Sequence, residues 1–394
     1  MLTAHLFSRD DRACRGYLTA LIEPNQRLPC LIACGGTGGH LFPGIAVAQE
    51  LQRRGHQPLI LISEKPIDRL AADGHPELEF VTAPSVAMPR LLSPAMAAFG
   101  LRLLRSVRQC RALLRERGTR AVLGMGGFTS LPPLWAARRQ GCVTLLHESN
   151  AIPGKSNRWC AKFADEVLLG VAGCARHFPN RPTAVTGTPV RTELTRQVDR
   201  AAARSRFGLD PDQPVLLVIG GSQGARGVNE AVIAALPELA AQGIGLIHLT
   251  GPTEHEAVTA AYRQARGRAP LSAHVAPFCH DMAEAYTAAD LVLARSGAST
   301  LTELAWFGLP SLLVPYPFAA DDHQTLNARV LVEAGAARMI PQPDLTPAAL
   351  VDFITQTGPG SETRARMTAA ARAAAVPDAA ARIADRLQAL LTLP

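Results

Sequence analysis

Short apolar runs alternate with longer amphipathic stretches from residue 29 almost to the end of the chain. This alternation is typical of βαβ units, in which buried parallel strands are joined by crossover helices. The runs predict strands near 29–34, 58–63, 79–82, 120–124, 142–147, 166–170 and 183–186, and a second set near 214–219, 244–250, 271–277, 290–294, 310–314 and 337–340. Helices are predicted near 43–54, 94–117, 130–140, 154–164, 225–242, 281–288, 299–307 and 322–334.

Two sets of strands and a length of 394 residues predict two domains. The fold class is α/β, with two Rossmann-like parallel-sheet domains of similar size that face one another across a crevice. The polar stretch 191–213 is interpreted as a linker. The Ala/Arg-rich stretch 361–394 is interpreted as a helical tail that packs back toward the first domain. The remaining predicted boundaries are 1–27 for an N-terminal extension, 28–190 for the first domain and 214–360 for the second domain.

Composition and charge argue against a membrane-spanning, secreted, zinc-binding or disulfide-bonded protein and favour one with an anionic partner. No apolar run reaches the roughly 18–20 residues that a membrane-spanning helix needs, and the first residues lack a signal-peptide pattern, so secretion is not expected. The eight cysteines include no C-x-x-C pair, which favours buried reduced thiols over a zinc site or a disulfide framework. A formal charge of +7 predicts an anionic partner, such as a polyphosphate, an acidic membrane or nucleic acid.

Two glycine-rich turns carry the candidate chemistry. The first, G-G-T-G-G-H at 35–40, follows an apolar strand and precedes a helical run that Pro43 is predicted to open. The second, G-G-S-Q-G-A-R at 220–226, repeats the arrangement in the second half. A strand, a glycine turn and a helix together aim unpaired backbone N–H groups at an anion. One such turn would fit a purely structural role, whereas one in each half indicates phosphate binding.

Eight segments together resemble the MurG family of bacterial GT-B glycosyltransferases (glycosyltransferase family 28). They run in the family's order and cover nearly everything from residue 29 to the tail. The segments are G-G-T-G-G-H (35–40), G-M-G-G-F (124–128), H-E-S-N (147–150), G-T-P-V-R (187–191), G-G-S-Q-G-A-R (220–226), F-C-H-D-M (278–282), R-S-G-A-S-T-L-T-E (295–303) and H-Q-T-L-N-A (323–328).

The resemblance implies a reaction and a location. The expected reaction is inverting transfer of N-acetylglucosamine from UDP-N-acetylglucosamine (UDP-GlcNAc) to the muramyl 4-hydroxyl of undecaprenyl-pyrophosphoryl-MurNAc-pentapeptide (lipid I). The product is lipid II, which is used in peptidoglycan synthesis. The enzyme is expected at the cytoplasmic face of the bacterial inner membrane as a peripheral protein, where it can meet other cell-wall synthesis proteins. No cofactor, no metal and no nucleic-acid partner are expected.

On the same resemblance, UDP-GlcNAc is expected to bind mainly in the second domain. Arg191 and Ser222 would bind its diphosphate, and Cys279 would contact the uracil edge through its main chain. Glu303 would accept both ribose hydroxyls, although its T-x-x-E spacing from Thr300 also fits a helix capping box. The remaining donor-site residues are Gln324 on the sugar, and Thr37, Gly38, Gly39, Asn150, Ala298, Ser299, Leu301, Thr302 and Asn327.

His40 and Glu148 are the catalytic candidates. Histidine titrates near neutral pH and is therefore suited to take the proton that the acceptor hydroxyl loses. The sequence leaves open which of the two residues accepts that proton, and it leaves open that His40 only donates a hydrogen bond to substrate. Gly126 and Gly127 are expected to bind the acceptor. The loop continues with prolines at 132–133 where the family has further glycines, and proline has no N–H to offer the acceptor diphosphate.

The stretch 101–120 carries seven arginines against one acidic residue. Leu103, Val107, Cys110 and Leu114 are predicted to form its inward stripe. With the apolar residues of 88–99 beside it, this basic helix fits peripheral docking on an anionic membrane. A packed helix with a solvated basic face is an equally good interpretation.

Three other functions stay open at the level of sequence. A GT-B transferase that acts on another lipid, such as diacylglycerol, would carry the same donor motifs. A dinucleotide-dependent oxidoreductase would need G-x-G-x-x-G, and the first glycine turn lacks that spacing. A non-enzymatic polyanion-binding protein would fit the charge but would leave Glu303 and Gln324 unexplained.

Overall fold

The computed structural model describes residues 28–84, 95–221, 224–267 and 271–392. The predicted N-terminal extension, 1–27, lies outside these residues. The chain divides into two compact units. The first unit comprises the residues up to Glu148, Pro153–Pro189 and Asp378–Pro394, and the second comprises Ser149–Ile152 and Val190–Pro377.

The first unit is built on a seven-stranded parallel sheet. Its strands are β1 (Cys30–Ala33), β2 (Leu59–Ser63), β3 (Glu79–Ala83), β4 (Ala121–Gly124), β5 (Val143–Glu148), β6 (Glu166–Leu169) and β7 (Thr183–Val185), in the spatial order β3-β2-β1-β4-β5-β6-β7. Its helices are α1 (Gly38–Arg53), α2 (Pro66–Asp73), α3 (Ala95–Glu116), α4 (Leu131–Arg139) and α5 (Lys155–Cys160), with a 3-10 helix at Ala172–His177.

The second unit is built on a six-stranded sheet of the same kind. Its strands are β8 (Val215–Ile219), β9 (Gly245–Leu249), β10 (Ala273–Ala276), β11 (Leu291–Ala294), β12 (Ser311–Leu313) and β13 (Ala337–Met339), in the order β10-β9-β8-β11-β12-β13. Its helices are α6 (Arg200–Arg206), α7 (Arg226–Ala241), α8 (His255–Arg266), α9 (Met282–Ala288), α10 (Ala298–Phe307), α11 (His323–Glu333), α12 (Pro347–Gln356) and α13 (Glu362–Ala374), with 3-10 helices at Thr192–Thr195, Ala320–Asp322 and Gln342–Asp344. The last helix, α14 (Ala379–Thr392), belongs to the first unit and packs on α1.

Each sheet has hydrophobic clusters on both faces, because most strand positions are apolar and side chains alternate between the faces. In β1, Leu31 and Ala33 join one cluster, and Cys30 and Ile32 join the cluster on the opposite face. All cysteines within the described ranges are free, and all of them except the half-buried Cys279 are buried. None of the described helices is long and apolar enough to span a membrane.

Strand order reverses once in each sheet, between β1 and β4 in the first and between β8 and β11 in the second. In open α/β sheets the carboxyl ends of the strands at such a switch point form the ligand crevice. The turn 35–40 follows β1, and Gly126 and Gly127 follow β4. In the second unit the turn 220–226 follows β8, and the segment 295–303 follows β11. The topology therefore brings the predicted motifs together in pairs.

Helix α1 begins at Gly38, five residues before the predicted start at Pro43. Thr37 is its N-cap, with extended φ and ψ of −152° and 152°, and Pro43 lies inside the helix. Proline is rare there because it lacks an N–H and crowds the carbonyl four residues earlier. Here that carbonyl belongs to Gly39, which lies in the first turn of α1. The helix therefore accommodates Pro43 one turn inside, and the proline did not mark its start.

The stretch 191–213, predicted to be a linker, folds as part of the second unit. It contains a 3-10 helix and α6, and Leu194, Ala203 and Leu209 are buried in the core. Its polar appearance comes partly from arginines that make specific contacts, since buried Arg204 donates to the carboxylate of Asp290. The predicted tail is helical but divides between the units, with α13 against α10 and α14 against α1. Helices α2, α6, α8 and α12 were not predicted.

Candidate functional site

In the first unit the imidazole of His40 lies against the glycine turn that follows β4. A Cβ atom built on Gly126 would lie 3.0 Å from Nε2 of His40, and one built on Gly127 would lie 3.2 Å from Nδ1. Both glycines have positive φ, 111° and 74°, which favours glycine. The structure thus brings the predicted catalytic histidine to the predicted acceptor glycines.

The N–H groups of these two glycines already have partners. Gly126 donates to Oγ of Ser130 at 3.1 Å, and Gly127 donates to Oδ1 of Asn157 at 3.1 Å. The prolines at 132–133 occupy the first turn of α4, where backbone N–H groups have no intrahelical partner. In this conformation, therefore, the glycines allow close approach to His40, and their N–H groups are not available to an acceptor diphosphate.

His40 is half-buried in the first turn of α1, and its Nδ1 lies 3.2 Å from Oγ1 of Thr37. Burial lowers the pKa of the imidazole to about 4, with Asp68 raising it and Lys65 lowering it. The ring is therefore neutral at neutral pH. If Nδ1–H donates to Thr37, then Nε2 is free to accept a proton; in the other tautomer Nε2–H is a donor. Both interpretations offered by the sequence fit this geometry.

Glu148 lies at the end of β5 and is 1% exposed. Its Oε2 accepts hydrogen bonds from Nδ2 of Asn157 at 2.8 Å and from the N–H of Gly154 at 3.3 Å. Because Asn157 also accepts from Gly127, this one amide links the glycine turn beside His40 to the predicted catalytic carboxylate. Sequence reasoning missed Asn157, since an asparagine in a short helix gives no signal of its own.

In the second unit the donor-site candidates Arg191 and Glu303 form an ion pair. Nε and Nη2 of Arg191 lie 3.2 and 3.0 Å from Oε1 of Glu303, and the hydroxyl of Tyr286 donates to Oε2 at 2.7 Å. Burial and the charge of Glu303 raise the pKa of Tyr286 well above its usual value, so this phenol stays a donor. The capping-box alternative is wrong because Gly297 is the N-cap of α10 and Thr300 lies inside the helix.

Helix α10 begins with the predicted donor-site residues Ala298, Ser299, Thr300, Leu301 and Thr302. The side-chain oxygens of Ser296 and Ser299 are buried beside its start without a hydrogen-bond partner among the described residues. Buried hydroxyls without partners are costly, and a helix N-terminus favours an anion. The start of α10 therefore has donors and polarity suited to a phosphate group.

The two predicted amide residues of the second unit, Asn327 and Gln324, differ in the hydrogen-bonding groups that they could offer to a substrate. Asn327 is 2% exposed; its Oδ1 accepts from the N–H of Ala151, and its Nδ2 donates to Oδ1 of Asn150 and to the carbonyl of Ser296. Asn327 thus fixes Asn150 beside the start of α10. Half-buried Gln324 accepts from the N–H of Tyr316 through Oε1, which leaves its Nε2 amide as the donor end.

The turn after β8 requires its glycines. A Cβ on Gly220 would lie 2.6 Å from the backbone nitrogen of Ala225, and Gly221 and Gly224 have φ of 88° and 78°. The turn leads into α7, as predicted, but Ser222 lies outside the described residues.

Cys279 follows β10 and donates from Sγ to the carbonyl of Asp281 at 3.2 Å. Burial raises the pKa of its thiol, so Cys279 is not an activated nucleophile. In the described part of the chain no group of three or more His, Cys, Asp or Glu residues could hold a metal ion.

Comparison with known proteins matches both halves of the chain to one family. Residues 30–169 match the glycosyltransferase family 28 N-terminal domain, and residues 215–383 match the glycosyltransferase family 28 C-terminal domain. A UDP-N-acetylglucosamine–N-acetylmuramyl-(pentapeptide) pyrophosphoryl-undecaprenol N-acetylglucosamine transferase from Exiguobacterium sp. is 37% identical over 91% of this chain and 98% of that relative. The transferase of the same name from Shewanella amazonensis is 41% identical over 90% of this chain and 96% of that relative.

A solved structure supports the same relationship. The crystal structure of Acinetobacter baumannii MurG matches with a TM-score of 0.71 and 31% identity, over 92% of this chain and 100% of that one. The predicted fold class, two parallel-sheet α/β domains of GT-B type, is confirmed, and so is the resemblance drawn from the eight sequence segments.

Proposed function

The chain belongs to the MurG family within glycosyltransferase family 28, and we infer that it transfers N-acetylglucosamine from UDP-GlcNAc to lipid I, giving lipid II for peptidoglycan synthesis. The relatives are named for a muramyl-pentapeptide acceptor on pyrophosphoryl-undecaprenol, which favours this reaction over transfer to diacylglycerol. The observation that carries the assignment within the structure is the ion pair between Arg191 and Glu303, a residue of the second turn of α10.

We propose that UDP-GlcNAc binds at this position in the second unit. The diphosphate would lie at the N-terminus of α10 and at the turn 220–226, where Arg191 and Ser222 supply a cation and a hydroxyl. Glu303 would accept the ribose hydroxyls, and the main chain at Cys279 would contact uracil. The sugar would meet Gln324. Asn327 is proposed to hold Asn150 in position, because its own amide already has protein partners.

The transfer itself is proposed to proceed by direct displacement. The muramyl 4-hydroxyl attacks the anomeric carbon, the bond from that carbon to the diphosphate oxygen breaks, and the configuration inverts from α to β. The proton of the hydroxyl goes to His40 or Glu148. Arg191, Ser222 and the start of α10 stabilise the negative charge that develops on UDP.

Helix α3 is proposed to attach the enzyme to an anionic membrane, at the cytoplasmic face of the inner membrane where the lipid-linked acceptor resides. Its inward stripe, Leu103, Val107, Cys110 and Leu114, is buried. Its outward face carries Leu101 and Leu104, whose exposures are 71% and 45%, among exposed arginines. A solvated basic face alone would account for the arginines but not for the exposed leucines. Each cation near such a surface contributes about 1 kcal/mol. Of the apolar stretch 88–99, predicted to assist, Phe99 is buried in the core, and residues 88–94 lie outside the described residues.

A transfer assay with a short-chain lipid I analogue tests the function. The proposal predicts a disaccharide product from UDP-GlcNAc, with much lower rates from UDP-glucose or UDP-galactose, and no product when diacylglycerol replaces lipid I. Efficient glycosylation of diacylglycerol, or absence of lipid II from an intact folded enzyme, would overturn it.

A further inference from the structure

A buried carboxylate lies behind the first glycine turn. Asp68, in the first turn of α2, is fully buried, and its Oδ2 accepts three hydrogen bonds. The donors are the N–H of Gly36 at 2.8 Å, the N–H of Ser63 at 2.9 Å and the hydroxyl of Ser63 at 2.5 Å. Asp68 thus joins the end of β2 to the turn that follows β1.

Lys65 holds the other side of the same glycine. Its Nζ donates to the carbonyl oxygen of Gly36 at 2.7 Å, so Gly36 is bound by a carboxylate at its N–H and by an ammonium at its C=O. Gly36 has φ of 92°, which favours glycine. A Cβ on Gly35 would lie 2.7 Å from Oδ2 of Asp68, so there is no room for a side chain between the turn and this carboxylate. We refer to these contacts as the Asp68–Lys65 clamp.

The clamp lies directly before the residues that hold His40. Thr37 follows Gly36, is the N-cap of α1, and lies within hydrogen-bond distance of the His40 ring. Asp68 and Lys65 are also the two side chains whose charges act on the imidazole, in opposite directions. The neighbouring His147 is buried and neutral, because burial lowers its pKa to about 4. The clamp thus lies next to the N-cap of the helix that carries His40, and its two charges act on the imidazole in opposite directions.

A purely structural role does not require this arrangement. Oδ1 of Asp68 is buried without a hydrogen-bond partner among the described residues. A buried carboxylate with one oxygen unsatisfied carries a cost that a neutral residue of similar shape would avoid. Asp165 provides the contrast in the same unit. It accepts from the N–H and hydroxyl of Thr144, as Asp68 does from Ser63, but its second oxygen is paired with Arg138.

We propose that Asp68 is a positioning residue for the transferase reaction, acting through Gly36 to fix the turn that carries His40, with Lys65 as the opposing half of the clamp. The expected effect on catalysis rests on the proposed function. The expected effect on the position and charge of His40 rests on the contacts alone. Asp68 does not itself touch substrate.

The test compares Asp68→Asn and Lys65→Met with the matched control Asp165→Asn. In Asp68→Asn the kcat for lipid II formation falls at least about tenfold, as expected for a misplaced catalytic group; the kcat and the KM for UDP-GlcNAc are both measured. Asp165→Asn lowers thermal stability but leaves both kinetic constants near wild type. Lys65 is exposed, so Lys65→Met folds normally and gives a smaller fall in kcat.

An NMR titration of the histidines, with His40 assigned from a His40→Gln variant, measures the pKa of His40. General destabilisation of the fold does not change this pKa. The His40 titration shifts to lower pH in Asp68→Asn and to higher pH in Lys65→Met, and it is unchanged in Asp165→Asn. Unchanged kcat and unchanged His40 titration in both clamp variants would overturn the inference. If the wild-type enzyme makes no lipid II, the proposed function fails, whereas the titration still decides whether the clamp acts on His40.

Discussion

The guanidinium of Arg191 donates two hydrogen bonds, of 3.2 and 3.0 Å, to the same carboxylate oxygen of Glu303. The sequence assigns these residues to different parts of UDP-GlcNAc, the diphosphate and the ribose. Their pairing neutralises a carboxylate that is only 8% exposed, which would otherwise be costly to bury. We expect UDP-GlcNAc to break this ion pair when it binds. The guanidinium would then bind the diphosphate, and the carboxylate would accept the ribose hydroxyls.

Replacing Arg191 removes the cation expected to stabilise the leaving UDP. Arg191→Gln should lower kcat about a hundredfold, the usual size of effect when one charge-stabilising donor is lost, and should raise the KM for UDP-GlcNAc. Steady-state kinetics measure both. The matched control is Arg366→Gln, because Arg366 lies in the same unit but pairs with exposed Glu362 on the surface. Equal effects of the two substitutions would contradict the assignment of Arg191.

Tyr286 should act on donor binding through Glu303. Tyr286→Phe keeps the ring, which stacks on Phe307, and removes only the hydroxyl that donates to Oε2 of Glu303. We expect donor affinity, measured by calorimetry, to fall about tenfold, because a hydrogen bond to a charged group contributes about 1.5–3 kcal/mol.

The other buried tyrosine of this unit provides the control. Tyr262→Phe removes the hydroxyl that lies 2.9 Å from Nδ1 of His248, and neither residue is a donor-site candidate. It should lower stability by about 1–3 kcal/mol and leave UDP-GlcNAc affinity unchanged. Loss of affinity in Tyr262→Phe but not in Tyr286→Phe would refute the role given to Tyr286.

The sequence predicted the strands well, whereas the contacts among the candidate site residues come from the structure. Each observed strand lies within one or two residues of a predicted one, because the apolar runs of parallel strands are short and clearly bounded. Helix α2 was missed because it has only eight residues, too few to show a helical period. The contacts of Asn157, Tyr286 and Asp68 were missed because they join residues that are distant in sequence. The family motifs identified Arg191 and Glu303, but only the structure pairs them.

The glycine turn beside His40 should not tolerate a side chain. Gly126→Ala places a Cβ 3.0 Å from the imidazole and from Nδ2 of Asn157, so we expect kcat to fall by more than tenfold. Gly141→Ala is the control, because Gly141 also has positive φ but nothing lies within 4 Å of the position that a Cβ would take there. Both variants should lose about 1–2 kcal/mol of stability from the strained backbone. Activity loss in the control equal to that of Gly126→Ala would show that strain alone is responsible.

Stability of the second unit should fall in acid because of His248. Burial lowers the pKa of this histidine to about 3, and its two ring nitrogens lie against Tyr262 and Asn229. The unfolded state therefore binds a proton below about pH 6.5 that the folded state does not bind. Between pH 7 and pH 5 this linkage removes about 2 kcal/mol of unfolding free energy.

Urea unfolding of the wild type and of His248→Gln at both pH values isolates this contribution. The variant should be less stable at pH 7, because it loses the hydrogen bonds of His248, but its stability should depend less on pH. Equal pH dependence of the two proteins would mean that His248 does not remain neutral in the folded state.

A crystal structure with bound UDP-GlcNAc tests the donor site most directly. We predict the ribose hydroxyls within hydrogen-bond distance of Glu303, and the diphosphate at the start of α10 beside Arg191. A nucleotide bound elsewhere, with no contact to the 298–303 helix start or to the turn 220–226, would contradict the account.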